Sequence, residues 1–251
     1  MHIQPIHTEI IPLDERDLFR VLDAHVTEFA TNSVLAITSK IIAICQGRIV
    51  RSDTVNRQQC IEAESDRFLP PTASRYGVTL TIKNHLLSAN AGIDESNGDG
   101  FYILWPEQPQ QVANQIRHYL CQRFAIQHAG VVITDSSPIM MRWGVNGVAI
   151  AHSGFAALND YVGKPDLFGR PLRMTRVNVA NALAVAAVLV MGEGDESTPL
   201  AVIHDLPFVH FQNRNPRPEE LAALQIDPQD DLYAPLLTSV PWQRGHSSFT
   251  P

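Results

Sequence analysis

Three acidic segments carry the residues best suited to chemistry. In Ala89-Asn90-Ala91-Gly92-Ile93-Asp94-Glu95-Ser96-Asn97, a small-residue turn presents a carboxylate and an amide three positions apart. Ile133-Thr134-Asp135-Ser136-Ser137 leaves a second apolar strand, and Met191-Gly192-Glu193-Gly194-Asp195-Glu196 ends a long apolar helix. Hard divalent cations take oxygen ligands from loops that rigid elements fix in place. Three acidic turns of this kind are what a cation gripping a nucleotide phosphate requires. Each also has a plainer reading. Asp94 and Asn97 equally describe an Asx turn closing on its own backbone. Asp135 either faces a ligand from a strand end or begins a turn with Ser136, Ser137 and Pro138. The glycines around Glu193 either cap a helix or let a backbone approach phosphate closely.

Thr38-Ser39-Lys40 adds two hydroxyls and an amine after the strand Val34 to Ile37, in reach of a phosphate or base, although hydroxyls at strand ends are ordinary. Familiar motifs are missing. No Gly-Lys-Ser/Thr follows the glycines near Glu193, so there is no Walker loop, and no Rossmann fingerprint occurs. An EF-hand counted from Asp94 would place Trp105 where a glutamate is needed. The 10 histidines include no H-E-x-x-H pair. Neither Ser153 nor Ser247 sits in a G-x-S-x-G elbow, which argues against a serine hydrolase.

The elements that must position these residues interleave. Ile3 to Ile11 alternates as an edge strand or loop, and Asp14 is placed to cap a helix running to Val26. Ser33 to Ile44 reads as a β-rich run, and Asn56 to Phe68 as a helix stopped by Pro70-Pro71. Val78 to Ile82 and Leu86 to Ser88 form a strand pair, with a short strand Phe101 to Trp105 after the Asp94 turn. Glu107 to Phe124 is an amphipathic helix. Val131 to Thr134 and Gly147 to Ala151 are apolar strands, Met174 to Met191 is the longest helix, and Leu200 to His204 closes the regular part. Prolines multiply after Gln212, so the tail is expected to wrap over the surface or lack fixed structure. The organisation is a mixed α/β (α+β) domain over 1–210 with a Pro-rich extension over 211–251.

With 251 residues, 45% of them hydrophobic and 18% charged, the chain is long enough to bury a proper core. Its formal net charge of -7 argues against nucleic acid as a partner. A small anionic ligand remains compatible, provided a metal supplies the positive charge. The 3 cysteines, Cys45, Cys60 and Cys121, share no C-x-x-C spacing, so a thiolate zinc site or disulfide framework is not expected. The opening residues carry no secretory signal, and the apolar run to Met191 is too short to span a bilayer. The reading is therefore of a cytoplasmic protein without membrane contact.

Taken in order, these pieces resemble the coenzyme F-420-0:L-glutamate ligases, the γ-glutamyl ligases of deazaflavin coenzyme maturation. The resemblance covers roughly residues 1 to 205 and follows an ordered set of blocks. They are Thr38-Ser39-Lys40 with Gln46-Gly47-Arg48, then Asn90 to Asp94 with Ser96-Asn97, then Ile133-Thr134-Asp135. Gly144 to Ile150, Gly163 to Gly169 and Met191-Gly192-Glu193-Gly194 complete the series. The resemblance implies an unusual α/β fold, a homodimer, and a reaction that uses GTP to activate a carboxylate as an acyl phosphate for attack by the amine of L-glutamate. It implies Asp94, Asp135, Ser136 and Glu193 as ligands of Mg²⁺ or Mn²⁺. It also implies nucleotide contacts from Thr38, Ser39 and Asn97, from the turn Met191, Gly192, Glu193, Gly194, Asp195, Glu196, Ser197 and Thr198, and from the N-terminal loop Pro5, Ile6, His7 and Thr8, where only the proline matches.

The chain also departs from the family pattern. Ile44 replaces a lysine usual before the glycine of E-G-R, and Gln46 replaces that glutamate. After Asp135 the family often has Thr-x-Gly-Arg, whereas Ser136-Ser137-Pro138-Ile139 stands here. These positions lie where a phosphate or an acceptor would be read. The departures leave open the acceptor, a deazaflavin or a folate, and the nucleotide, GTP or ATP. A homologue that binds nucleotide but no longer ligates is the alternative.

Overall fold

The computed structural model describes residues 1–245; Ser247 and the other residues at the end of the 211–251 segment lie outside them. β1 (His2–Ile6) and α1 (Leu18–His25) open the chain, and β2 (Ser33–Thr38) runs directly into α2 (Ser39–Cys45). β3 (Ile49–Arg51), α3 (Arg57–Glu64) and β4 (Arg67–Phe68) come next, then β5 (Leu80–Lys83), β6 (Leu86–Ala89) and β7 (Phe101–Ile103). After α4 (Pro109–Arg123) come β8 (Ala129–Pro138), β9 (Val145–Ser153), β10 (Leu158–Asp160) and β11 (Arg176–Asn178). α5 (Val179–Met191) and β12 (Leu200–His204) complete the core. α6 (Pro218–Ala222), α7 (Ala234–Leu237) and β13 (Gln243–Arg244) belong to the C-terminal segment.

The central sheet has five strands in the order β1-β12-β2-β8-β9. Only β2 and β8 run parallel; the other neighbours are antiparallel. Two adjacent parallel strands end at the same edge of the sheet and deliver their next residues there. That topology puts Thr38-Ser39-Lys40 and Asp135-Ser136 side by side. One face is covered by α1, α2 and α4 through Leu22, Ile42, Ile116 and Leu120, all fully buried. The other face is covered by α5 through Leu183, Ala184 and Ala187. Gly147 on β9 makes this second contact possible, because a Cβ there would collide with the Ala184 carbonyl. A smaller sheet, β13-β4-β5-β6, and the pair β3-β7 stand beside the central sheet.

Four expectations are corrected. α1 is capped by Asp17, whose carboxylate accepts from the Phe19 and Arg20 N–H groups, not by Asp14. The β-rich reading of Ser33 to Ile44 fails past Thr38. Ile41, Ile42 and Ile44 sit in α2, where burial against the sheet overrides the strand preference of β-branched side chains. The long helix starts at Val179, with Asn178 as its side-chain cap, and the residues before it pair as β10–β11. Asp135 and Ser136 are not in a turn. β8 continues to Pro138, after a register shift against β9 between Ile133 and Thr134. A bulge at that point re-aims the residues beyond it, and bulges are frequent beside sites for that reason.

The described part of the tail after Gln212 does lie over the surface. Gln212 N–H donates to the Gly154 carbonyl at 2.8 Å, Arg117 Nε to Asn215 Oδ1 at 3.0 Å, and β13 pairs with β4. Among the described residues no helix is long and apolar enough to cross a membrane.

Candidate functional site

The acidic residues separated in sequence come together at the edge where β2 and β8 end. The turn after β6 begins with Asn90 and Ala91 in the left-handed backbone region, followed by Gly92 at φ +71. The Asn90 side chain steadies this turn by accepting from Thr79 N–H at 3.1 Å. Asp94 is then locked to β7 by two backbone hydrogen bonds with Ile103, at 3.0 and 2.8 Å. Its Oδ1 accepts from Ser96 N–H at 2.7 Å, so the Asx-turn reading holds. The other oxygen, Oδ2, is free to point outward and pairs with Lys40 Nζ at 2.7 Å. Burial pushes the Asp94 carboxyl up, but the Lys40 ammonium and the Ser96 N–H outweigh it and hold it below its ordinary value.

Asp135 is held differently. The indole Nε1–H of Trp105, a residue only 2% exposed, donates to Asp135 Oδ2. Burial dominates and pushes the Asp135 carboxyl up to about 6, against the pull of Trp105, the Ser136 N–H and Lys40 and with the added repulsion of Asp94. Gly92 makes the Trp105 position possible, since a Cβ on Gly92 would overlap the indole nitrogen. Behind the ring lies an ionic triad. Glu64 takes Arg48 Nη2 on one oxygen and Lys83 Nζ on the other, both at 2.6 Å, and Lys83 Nζ stands 5.5 Å from the centre of a Trp105 ring.

The third acidic segment closes the group. Ser136 Oγ donates to Glu193 Oε1 at 2.6 Å, and Asn97 Nδ2 donates to the Gly194 carbonyl at 3.0 Å. Glu193 follows the C-terminus of α5, whose exposed carbonyls add negative potential and favour a cation there. The Glu196 carboxylate folds back over Gly192 and accepts from the Gly194 N–H at 2.8 Å. A backbone amide of this turn thus already holds an anionic oxygen.

The remaining expected contacts are only partly gathered. Thr8 N–H donates to the Ser197 carbonyl at 2.8 Å and Thr38 N–H to the Pro199 carbonyl at 3.0 Å, so both segments border the 191–198 turn. Ser39 is buried at the start of α2, and Met191 is buried at the end of α5 with its carbonyl accepting from the Thr198 hydroxyl. Asp195 and Ser197 are exposed. Pro5 and Ile6 are committed to β1, paired with Ala201 and Leu200, and His7 is exposed just beyond them. Ile44 packs in the core beside Ile103, and Ile139 lies half exposed past the end of β8.

The oxygen donors Asp94, Asp135, Ser136 and Glu193 suit a hard cation. Among the described residues no three His, Cys, Asp or Glu side chains converge closely enough to chelate one as they stand. Each carboxylate is instead satisfied by a protein donor: Lys40, Trp105 or Ser136. The Lys40 ammonium on Asp94 is the kind of positive charge that a cation would supply. Sequence reasoning named the run holding Gly92 and the block holding Arg48 but missed the role of Trp105 and the Arg48–Glu64–Lys83 triad behind it, because nothing in an apolar strand end marks an indole as a hydrogen-bond donor to a residue thirty positions away.

Comparison with known proteins gives a consistent picture. The sequence model of the family described as F420-0:Gamma-glutamyl ligase matches residues 7–205. The chain is 32% identical over 221 residues to the coenzyme F420:L-glutamate ligase of Methanopyrus kandleri, covering 80% of this chain and 87% of that one. It is 31% identical over 223 residues to the enzyme of the same name from Archaeoglobus fulgidus, covering 82% and 89%. Over a shorter stretch of 147 residues, 57% of this chain and 58% of the relative, it is 41% identical to the one from Methanocaldococcus jannaschii.

Proposed function

The chain belongs to the F420-0:gamma-glutamyl ligase family, and from that premise we propose that it joins L-glutamate by an amide bond to a carboxylate of a coenzyme acceptor, in a reaction driven by a nucleoside triphosphate and a divalent cation. The observation that carries this reading is the meeting of Asp94, Asp135 with Ser136, and Glu193 at one sheet edge, tied together by Lys40, Ser136 and Asn97. Phosphoryl transfer depends on charge neutralisation and positioning more than on covalent participation by the protein.

In this reading Asp94, Asp135, Ser136 and Glu193 would hold Mg²⁺ or Mn²⁺, which supplies the charge that shields the phosphate oxygens. Lys40 sits within hydrogen-bonding distance of both Asp94 and Ser96, at 2.7 and 3.2 Å, and is placed to move from the carboxylate to a phosphate when the cation arrives. Thr38, Ser39, Asn97 and the 191–198 turn would contact the nucleotide, with Thr8 bracing that turn from behind. An acyl phosphate formed on the acceptor carboxylate then loses phosphate as the glutamate amine attacks. The acceptor is a deazaflavin coenzyme precursor or a folate, and the nucleotide is GTP or ATP.

Mass spectrometry tests this directly. Purified protein is incubated with L-glutamate, Mg²⁺ and Mn²⁺, GTP or ATP, and each acceptor in turn. A product heavier by one glutamyl unit, with matching release of nucleoside diphosphate and phosphate, is expected with one acceptor. Nucleotide binding without an adduct on any acceptor would replace the ligase reading with that of a nucleotide-binding homologue.

We further propose that the protein works as a homodimer. Trp143 and Met141, 90% and 89% exposed, cap the β8–β9 hairpin, and Leu167 and Phe168, 99% and 84% exposed, cap the β10–β11 hairpin. Large apolar side chains exposed on projecting hairpins are characteristic of a surface meant to be covered. Sedimentation should give twice the chain mass of 27.8 kDa, and Trp143→Ser with Leu167→Ser should halve it. A wild-type monomer at micromolar concentration would refute the dimer.

A further inference from the structure

A cleft of about 490 Å³ opens where the N-termini of α4 and α5 meet the C-terminal segment. Its size suits a small-molecule ring system. No Lys, Arg, Asp or Glu residue lines it among the described residues, but seven Asn and Gln residues do, with His85 and His152 beside them. Such a wall carries no fixed cationic side chain to pair with a phosphate or carboxylate. It can match a ring edge that alternates N–H donors with carbonyl acceptors, because each amide both donates and accepts.

Several of these amides are held ready. Gln110 Nε2 is committed to Asn114 Oδ1 and the His152 carbonyl, at 3.1 and 2.7 Å, which fixes the side chain and leaves its oxygen for a ligand. Asn181 Oδ1 accepts from Ala149 N–H at 2.9 Å, leaving its NH₂ group. Gln108 is the N-cap of α4, in the left-handed region at φ 46, and no side chain caps that helix. Its uncapped N-terminus favours the partial negative charge of a ring carbonyl.

His152 is 2% exposed and lines the cleft, with its ring meeting Phe155 edge-on. Burial keeps this imidazole neutral, with its pKa pushed down to about 4 despite the opposing charge of Glu220.

The fourth wall comes from Leu221, Leu224 and Gln225, beyond residue 205 where the family match ends. The cleft also adjoins the acidic centre. Asn84 and His85 follow Lys83, which lies against Trp105, and β9 runs from Gly147, opposite Ser136, to His152. At about 3.3 Å per residue that is a reach of roughly 10–17 Å, suited to a ring whose tail ends in a carboxylate.

We propose that this amide-lined cleft binds the uncharged heteroaromatic ring of the acceptor and that the C-terminal segment sets which ring fits; the proposal rests on the ligase reading above. The test is calorimetric titration of the intact protein with a deazariboflavin, and separately with a free pterin, each lacking a phosphate or carboxylate tail. One of the two rings should bind. Leu224→Trp, which fills the cleft, should weaken it at least tenfold. Gln225→Leu, at an exposed position, should weaken it roughly 3–10-fold, as the loss of a neutral hydrogen bond does. Both should raise KM for the acceptor while KM for nucleotide and kcat at saturation stay near wild type. Wild-type binding of neither ring, or equal binding by both variants, would overturn the proposal. Should Leu224→Trp not fold, Gln225→Leu decides alone. Ring binding through these residues without any ligation would remove the ligase reading and leave this site standing. Ligation with unchanged acceptor KM in both variants would do the reverse.

Discussion

Asp135→Asn is expected to cut turnover by about a thousandfold while leaving the metal-free protein folded and, at pH 7, more stable than wild type. The opposite signs follow from the raised pKa. Burial lifts the folded-state value from 3.8 to about 6, so the native protein holds this proton more tightly than the unfolded chain does. Stability from this group is fully present below the unfolded value and is lost as pH rises through about 6. At neutral pH the ionised carboxylate therefore costs about 2–3 kcal/mol. Asparagine removes that cost and keeps an oxygen for the Trp105 N–H. Thermal denaturation between pH 4 and 8, in chelator and then with Mn²⁺, checks both halves. The wild type should lose stability between about pH 4 and 6 in chelator, stay level above that, and regain the loss with metal. The variant should show neither effect. A variant destabilised at pH 7, or one that retains turnover, would mean that Asp135 is not the strained carboxylate of the site.

Gly92→Ala should be among the most damaging small substitutions in the chain, at about 3–5 kcal/mol of stability and roughly a hundredfold in turnover. Two costs combine. A non-glycine residue at φ +71 is strained by about 1–2 kcal/mol. The added methyl also drives into the Trp105 indole, which is buried and cannot yield without releasing Asp135. A double-mutant cycle separates the terms. In a Trp105→Leu background the Gly92→Ala penalty should shrink to the backbone strain alone, while turnover stays low because the indole donor is gone. Equal penalties in both backgrounds would show that glycine serves only the turn.

Much of this arrangement was legible in the sequence. The Asp94 turn, the Glu193 turn and the strand Leu200 to His204 fall where composition and spacing put them, because local chemistry decides them: glycines, Asx side chains and a clean apolar run. The failures have a common cause. Ser39 to Cys45 carries strand-favouring isoleucines but is helical because both its neighbours in space and the sheet beneath it demand a buried helix there. Of the two readings of Asp135, the one that starts a turn there fails because a bulge, invisible in one strand read alone, carries β8 past it. Lys40 was noted as a phosphate contact, but its partner Asp94 lies fifty-four positions away, and only the fold brings them together.

The sheet order has a consequence for how the chain reaches this state. The first strand pairs with the last one of the core, His2 against His204, and the parallel pair that aims the site joins Ser33 to Ala129. Neither contact is local. At about 5–20 residues per second, roughly 10–40 s of synthesis separate the emergence of the opening strand from that of its partner. During that interval its hydrogen-bonding edge stands open, and the sheet edge that gathers Asp94, Asp135 and Glu193 is not yet complete. Topologies dominated by such distant pairings fold slowly. If the proposed site binds a cation, that affinity should therefore arise in a single late step of refolding, together with the docking of β12, and a chain truncated before Leu200 should never gain it.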